Sequence, residues 1–237
     1  MLKIIRKKWM YIFVILFSAV ALTISTAHAV TRGIDVSEWQ GDINWDAVKQ
    51  SGISFAMLRT SWGYEAPREG AVDEKLERNI REAKRVHMPI GAYHYCYATN
   101  IPEAIKEADF FLKQLKKTRW EYPVCLDLED AKYQSSLPKT VLTDIAYTFM
   151  ERVESQGYYV SLYSNLYWLN NKLDLNRLDR FDKWVAQWYS RCEYSRCFGL
   201  WQFSSTGQVP GIRGNVDMDY AYKDYPSIMR EAHKNGF

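Results

Sequence analysis

Asp127 and Glu129 stand two residues apart in the apolar run Val124-Cys125-Leu126-Asp127-Leu128-Glu129. A strand directs residues i and i+2 to one side, so this run would present a carboxylate pair to a single pocket. Like-charge repulsion and partial burial raise at least one pKa of such a pair. A carboxyl held protonated near neutrality can then serve as a general acid. Asp35, in Gly33-Ile34-Asp35-Val36, and Asp217, in Asn215-Val216-Asp217-Met218, occupy two further apolar strand candidates. Desolvating an unpaired carboxylate is costly. One such acid is accounted for by a helix cap or by an Arg or Lys at a strand end; three separate segments each delivering one point to shared chemistry.

Aromatic residues make up 15% of the chain. Trp39, Trp45, Trp62, Trp188 and Trp201, with Tyr93, Tyr95 and Tyr163, fall near the same strand ends. A sugar ring offers an apolar face and a rim of hydroxyls, so aromatic side chains beside carboxylates suit an oligosaccharide. At least half of these aromatics are expected to be core filler. Other chemistries find less support. His87, His94 and His233 are too scattered for a metal cluster, and His94 on its apolar strand reads as a hydrogen-bonded core residue. Neither a G-x-S-x-G elbow nor a phosphate-cradling G-x-x-x-x-G-K occurs. Hydrolysis of a glycosidic bond by two carboxylates is the chemistry these residues match, with no metal and no cofactor.

The elements that would position them alternate. Residues 33–36, 54–58, 89–95, 124–129 and 158–163 are short apolar or β-branched runs of buried-strand length. Between them lie helical periods. Val72, Leu76, Ile80 and Ala83 form one stripe, with Lys84 and Arg85 late in the helix as its dipole prefers. Pro102 opens a helix carrying Ile105, Ala108, Phe111, Leu112 and Leu115. Pro138 opens another with Val141, Leu142, Ile145, Phe149 and Val153, ended by Gly157. Such alternation predicts a parallel sheet wrapped by helices. Residues 184–186, 200–203 and 215–218 are strand candidates with loops between them. The fold class expected is α/β: a single irregular, flattened β/α barrel, TIM-barrel-like, whose last strands are poorly separated by helices.

The 237 residues are 47% hydrophobic and 25% charged, with 31 Lys plus Arg against 28 Asp plus Glu. Disordered, collagen-like and coiled-coil readings are poor matches. Residues 1–29 carry Lys3, Arg6, Lys7 and Lys8 and no acid, then an apolar run, then Ala27-His28-Ala29. This is the pattern of a secretory signal cleaved after Ala29; the alternative is an uncleaved membrane anchor. Removing residues 1–29 takes four of the 31 basic residues and none of the 28 acids, leaving 208 residues with a net charge of −1. A nucleic-acid partner loses its compositional support, and no stable membrane partner is expected after cleavage. Residues 30–237 read as one catalytic domain, a monomer, exported to the periplasm or secreted. In an oxidising compartment Cys192 and Cys197, enclosing Glu-Tyr-Ser-Arg, are expected to pair as a local disulfide. Cys96 and Cys125 lie in apolar runs where free thiols pack as small hydrophobes.

Gly33-Ile34-Asp35-Val36-Ser37 with Trp39-Gln40-Gly41 and Ile43-Asn44-Trp45, then Gly91-Ala92-Tyr93-His94-Tyr95, Leu126-Asp127-Leu128-Glu129, Leu162-Tyr163-Ser164-Asn165, Trp201-Gln202-Phe203-Ser204 and Val216-Asp217-Met218-Asp219, taken in order, resemble glycoside hydrolase family 25, the muramidases or lysozymes. The resemblance covers nearly all of residues 30–237. It implies an irregular β/α barrel and hydrolysis of the β-1,4 bond between N-acetylmuramic acid and N-acetylglucosamine in peptidoglycan glycan strands. By the D-x-E match Glu129 would be general acid and then base, and Asp127 would orient the substrate's acetamido group as it attacks the anomeric carbon. Asp35 and Asp217 would flank the site, holding the reacting sugar or tuning Glu129. Tyr93, Tyr163, Trp188 and Gln202 fall where such enzymes contact the sugar, and Trp62 is a further candidate contact. Two stretches depart from the family pattern. Many members carry Lys-Ala-Thr/Ser-Glu-Gly where this chain has Arg59-Thr60-Ser61-Trp62-Gly63, and many have Asn where it has Asp219. Two other uses of the barrel stay open: a glycan-binding protein that does not hydrolyse, and a hydrolase of chitin-type chains.

Overall fold

Strands whose side chains alternate between two apolar environments must be covered on both faces. This chain achieves that by closing a sheet on itself. The computed structural model describes residues 29–64 and 70–237. Apart from Ala29, the expected signal segment lies outside the described residues. The strands are β1 (Thr31–Val36), β2 (Phe55–Trp62), β3 (Ala71–Val72), β4 (Ile90–Tyr95), β5 (Val124–Asp127), β6 (Val160–Asn165), β7 (Asp182–Ala186), β8 (Leu200–Gly207) and β9 (Val216–Ala221). Their order is β1-β9-β8-β7-β6-β5-β4-β2-β3, and pairing of β1 with β2 closes eight of them into a barrel. β3 continues along the edge of β2 beyond the last β1 contact, pairing Val72 with Ser61. The barrel-like α/β class expected from the sequence is the one observed.

All neighbours around the ring run parallel except β9, which is antiparallel to both β8 and β1. The cause lies in the connections. Parallel neighbours need a long crossover, whereas a short loop joins antiparallel ones, and residues 208–215 between β8 and β9 hold no helix.

The helices are α1 (Trp45–Gln50), α2 (Leu76–Arg85), α3 (Ile101–Leu115), α4 (Lys139–Glu154), α5 (Leu166–Asn171) and α6 (Tyr225–Glu231). α3 begins where the Asn100 side chain accepts from the Glu103 backbone N–H at 3.0 Å, with Pro102 in the first turn. It buries Ala104, Ala108, Phe111, Leu112 and Leu115. α4 buries Leu142, Ile145, Phe149 and Val153 and is followed by Gly157 at φ +88°, a left-handed conformation that glycine adopts without penalty. One stripe shifts relative to expectation: Val72 belongs to β3, and α2 starts at Leu76, because Asp73 accepts the Lys75 backbone N–H and turns the chain before the helix.

Two apolar clusters follow from strand alternation. Ile34, Val36, Leu58, Leu126, Leu162 and Val185 face the helices in the larger one. Phe55, Met57, Cys125, Tyr163, Trp184 and Leu200 fill the barrel interior. The same parity sends Asp35, Arg59, Tyr93, Asp127, Gln202 and Asp217 inward, to the end of the barrel where the parallel strands finish.

Candidate active site

Asp127 is the last residue of β5 and Asp35 the penultimate residue of β1. β9 runs the opposite way, so its second residue, Asp217, reaches the same end and pairs directly with Asp35. Together with Glu129 these three acids line one open cleft, with Tyr93, Tyr163 and Gln202 also in its wall. C-terminal strand ends are where barrels of this kind carry chemistry.

Glu129 corrects a detail of the sequence reading. β5 ends at Asp127, so the acid lies just past the strand. It nevertheless joins Asp127 in the cleft because the ladder runs on: the Leu128 N–H donates to the Tyr163 carbonyl at 3.1 Å. The following residue pins the loop. Asp130 accepts from the Tyr133 backbone N–H at 2.7 Å and from the Tyr95 hydroxyl at 3.2 Å. Asn165 is fixed as the N-cap of α5, its Oδ1 accepting from the Trp168 N–H at 3.0 Å, which turns its Nδ2 to donate to Glu129 Oε2 at 3.2 Å.

Burial is the main cause of the electrostatics here. It raises Glu129, opposed by the Asn165 hydrogen bonds and reinforced by Asp217. Asp127 is pushed well above the usual range, first by burial and then by Glu129, against the pull of the Arg59 guanidinium. Burial lifts Asp217 to about 6. Asp35 is raised by burial and then by Asp219 and Asp217. The cleft therefore keeps protons on carboxyls at pH values where free ones have lost them. Such a cluster of perturbed acids in a cleft marks a candidate catalytic centre.

Gln202 organises the wall. Its Nε2 donates to Asp35 Oδ2 at 2.8 Å, while its Oε1 accepts from the Tyr163 hydroxyl at 3.2 Å and the Trp188 Nε1 at 3.0 Å. Trp188, 60% exposed, is thus tethered beside the cleft. The Asp127 Oδ1 atom is buried and has no hydrogen-bond partner.

Trp62 does not line the cleft. A register shift between Arg59 and Ser61 interrupts the β2–β4 ladder, and the Arg59 guanidinium lies 4.7 Å from the centre of the Trp62 ring. Arg59 itself reaches the cleft and is held by Asp73 at 2.9 Å and Glu38 at 3.0 Å. Beyond the shift Ser61 pairs with His94, fully buried as expected, whose Nδ1 lies 2.8 Å from the Ser61 hydroxyl and whose Nε2 lies 3.0 Å from Glu107. Of the tryptophans, Trp45 is core, and Trp201, also buried, donates to the Gln187 carbonyl. Trp39, 78% exposed, stands at the cleft as an open apolar face.

Cys192 and Cys197 are free thiols, not the disulfide that their spacing suggested. Cys192 is half-buried and packs against the main core, while Cys197 is exposed. Cys96 and Cys125 are free and buried. Among the described residues no group of three or more His, Cys, Asp or Glu is placed to hold a metal ion, and no helix is long and apolar enough to cross a membrane.

Tyr95, one of the aromatics expected near the strand ends, lines the cleft, whereas sequence reasoning missed Arg59 and Trp184. The inward parity of β2 and β7 was the available signal. Asp219, noted in the sequence only as a departure from the family pattern, is fully buried behind Asp35, and its Oδ1 accepts from the Trp184 Nε1 at 2.8 Å.

Residues 34–212 match the family described as Glycosyl hydrolases family 25. Lysozyme M1 of Streptomyces globisporus is 28% identical over 202 residues, covering 78% of this chain and 66% of its own. The solved bacterial lysozyme of Streptomyces coelicolor is 27% identical with a TM-score of 0.70, covering 80% of this chain and 90% of its own. The modular autolysin LytC of Streptococcus pneumoniae, solved in complex with a synthetic peptidoglycan ligand, is 27% identical with a TM-score of 0.72, covering 81% of this chain and 46% of its own.

Proposed function

The chain belongs to glycosyl hydrolases family 25 and is a glycoside hydrolase of the lysozyme kind, and we propose that it is exported and cuts the β-1,4 bond between N-acetylmuramic acid and N-acetylglucosamine in peptidoglycan. The observation that carries this reading is the meeting of Asp127, Glu129, Asp35 and Asp217 in one aromatic-walled cleft.

In this mechanism Glu129, whose hold on its proton is strengthened by burial, gives that proton to the bridging oxygen as the bond to the anomeric carbon breaks. The acetamido oxygen of the muramic acid attacks that carbon in the same step. The acetamido N–H finds its acceptor in Asp127 Oδ1, which no protein group satisfies. An unpaired buried acceptor is costly until a ligand fills it. Glu129, now a carboxylate, takes a proton from the water that opens the ring intermediate, so that configuration is retained. Asp35 and Asp217 line the opposite wall, and Trp39 and Trp188 offer exposed ring faces to neighbouring sugars.

Export rests on the basic, apolar and Ala27-His28-Ala29 regions of residues 1–29. The test of the bond is the identity of the new reducing ends that residues 30–237 release from purified peptidoglycan, fixed by borohydride reduction and read by mass spectrometry. Reduced muramic acid ends are expected. Reduced glucosamine ends would move the cut to the other bond, and no new ends at any pH would contradict hydrolysis.

A further inference from the structure

We propose that Asp219 is a positioning residue for this reaction: it shares one proton with Asp35 and, by donating it, keeps Asp35 a hydrogen-bonded anion in the cleft wall. The proposal rests on the reading of the cleft as the hydrolytic site.

Strand register brings the two together. Asp35 pairs with Asp217 across β1 and β9, and Asp219 lies one same-face position further along, opposite Gly33, over which the Phe55 ring packs. Asp219 is fully buried. One of its oxygens accepts from Trp184, but the other, Oδ2, is buried with no donor. Across the β1–β9 ladder its carboxyl is the same-face diagonal neighbour of Asp35, close enough for the two acids to act on each other's proton affinity, and Asp35 Oδ2 already accepts from Gln202. Two carboxylates cannot hydrogen-bond each other unless one carries a proton. A single proton on Asp219 Oδ2, donated to Asp35, satisfies the orphaned oxygen and removes the repulsion of two buried charges. The proton belongs on Asp219 because Asp35 faces the water of the cleft and Asp219 does not.

The other titratable groups facing the pair are Asp217 on β9, Asp127 and Cys125 on β5, Tyr93 on β4 and Tyr163 on β6. β7 and β8 offer the neutral Trp184 and Gln202. The cleft's cation, Arg59 on β2, is engaged by Asp73 and Glu38. None of the acids relieves the pair. The hydrogen bond from Asp219 is consequently conditional: it exists while the proton is held and is lost as pH rises.

The test compares wild type with Asp219→Asn, whose amide donates at every pH, and Asp219→Ala, which cannot donate. The first readout needs no substrate: infrared spectra of the folded protein between about pH 5 and 8. Wild type should show one protonated carboxylic band at neutral pH that Asp219→Asn lacks. The second is the pH profile of kcat on peptidoglycan. Asp219→Asn should keep kcat near pH 6 within about threefold and extend the alkaline limb by about one pH unit. Asp219→Ala should lose about tenfold or more in kcat with KM changed less. Identical infrared spectra would overturn the shared proton. A lost band with an unshifted alkaline limb in Asp219→Asn would overturn the positioning role. If Asp219→Ala does not fold, the isosteric Asn variant alone decides. Absence of hydrolysis by wild type would strike the functional reading, while the infrared result would still report on the proton.

Discussion

Asp35 and Asp217 are direct cross-strand partners where β1 meets the antiparallel β9, two carboxyls opposite each other on the inner face of the barrel. Like charges so placed destabilise a sheet. They are tolerated because burial and proximity hold protons on the group, with Asp217 lifted to about 6.

That relationship makes stability depend on pH. Asp217 binds its proton more tightly folded than unfolded, so its contribution is fully present below the ordinary aspartate pKa and is lost as pH rises toward about 6. Its partial exposure limits the effect to on the order of 1 kcal/mol. Melting temperatures of wild type and Asp217→Asn between pH 4 and 7 check this: wild type should fall more steeply with rising pH.

Gln202 holds Asp35, Tyr163 and Trp188 through one amide. Gln202→Leu strands the Asp35 carboxyl and frees the Trp188 ring. Activity on peptidoglycan should drop about tenfold or more, and tryptophan emission should change as the exposed ring loses its tether. Unaltered kinetics would contradict the role assigned to the amide.

Ser61, His94 and Glu107 form a hydrogen-bonded chain that has the residue types of a nucleophilic triad, yet all three are buried and none lines the cleft. Their work is to tie β2 and β4 to α3. Ser61→Ala should retain full hydrolysis and lose about 1 kcal/mol of stability. His94→Ala should cost about 2–4 kcal/mol, because it opens a cavity and leaves Glu107 without that partner. Denaturant titration beside a turnover assay separates the two effects.

The strand and helix pattern was legible because each strand carries its parity in the chain: Ile34, Leu126 and Leu162 against helices, Asp35, Asp127 and Tyr163 inward. That parity made the site acids visible. The reversal of β9 was not legible, since it depends on what joins β8 to β9 and not on the composition of β9. The shift between Arg59 and Ser61 was equally hidden. It separates the cleft-lining Arg59 from the buried Ser61 and puts Trp62 in register with the cleft-lining Tyr95, beside the Arg59 guanidinium. Glu129 was found by spacing but placed one element too early, because a ladder can continue past the strand that starts it. Asp219 was readable only as a residue type; its buried, unsatisfied oxygen is a property of three strands meeting.

The central claim is that Glu129 supplies the proton for bond cleavage. Its most direct test is turnover of purified peptidoglycan by Glu129→Gln, with folding verified by an unchanged melting profile at pH 5. A loss of about 10²–10⁴-fold in kcat is expected from removal of a general acid. Near-wild-type turnover by a folded Glu129→Gln protein would contradict it.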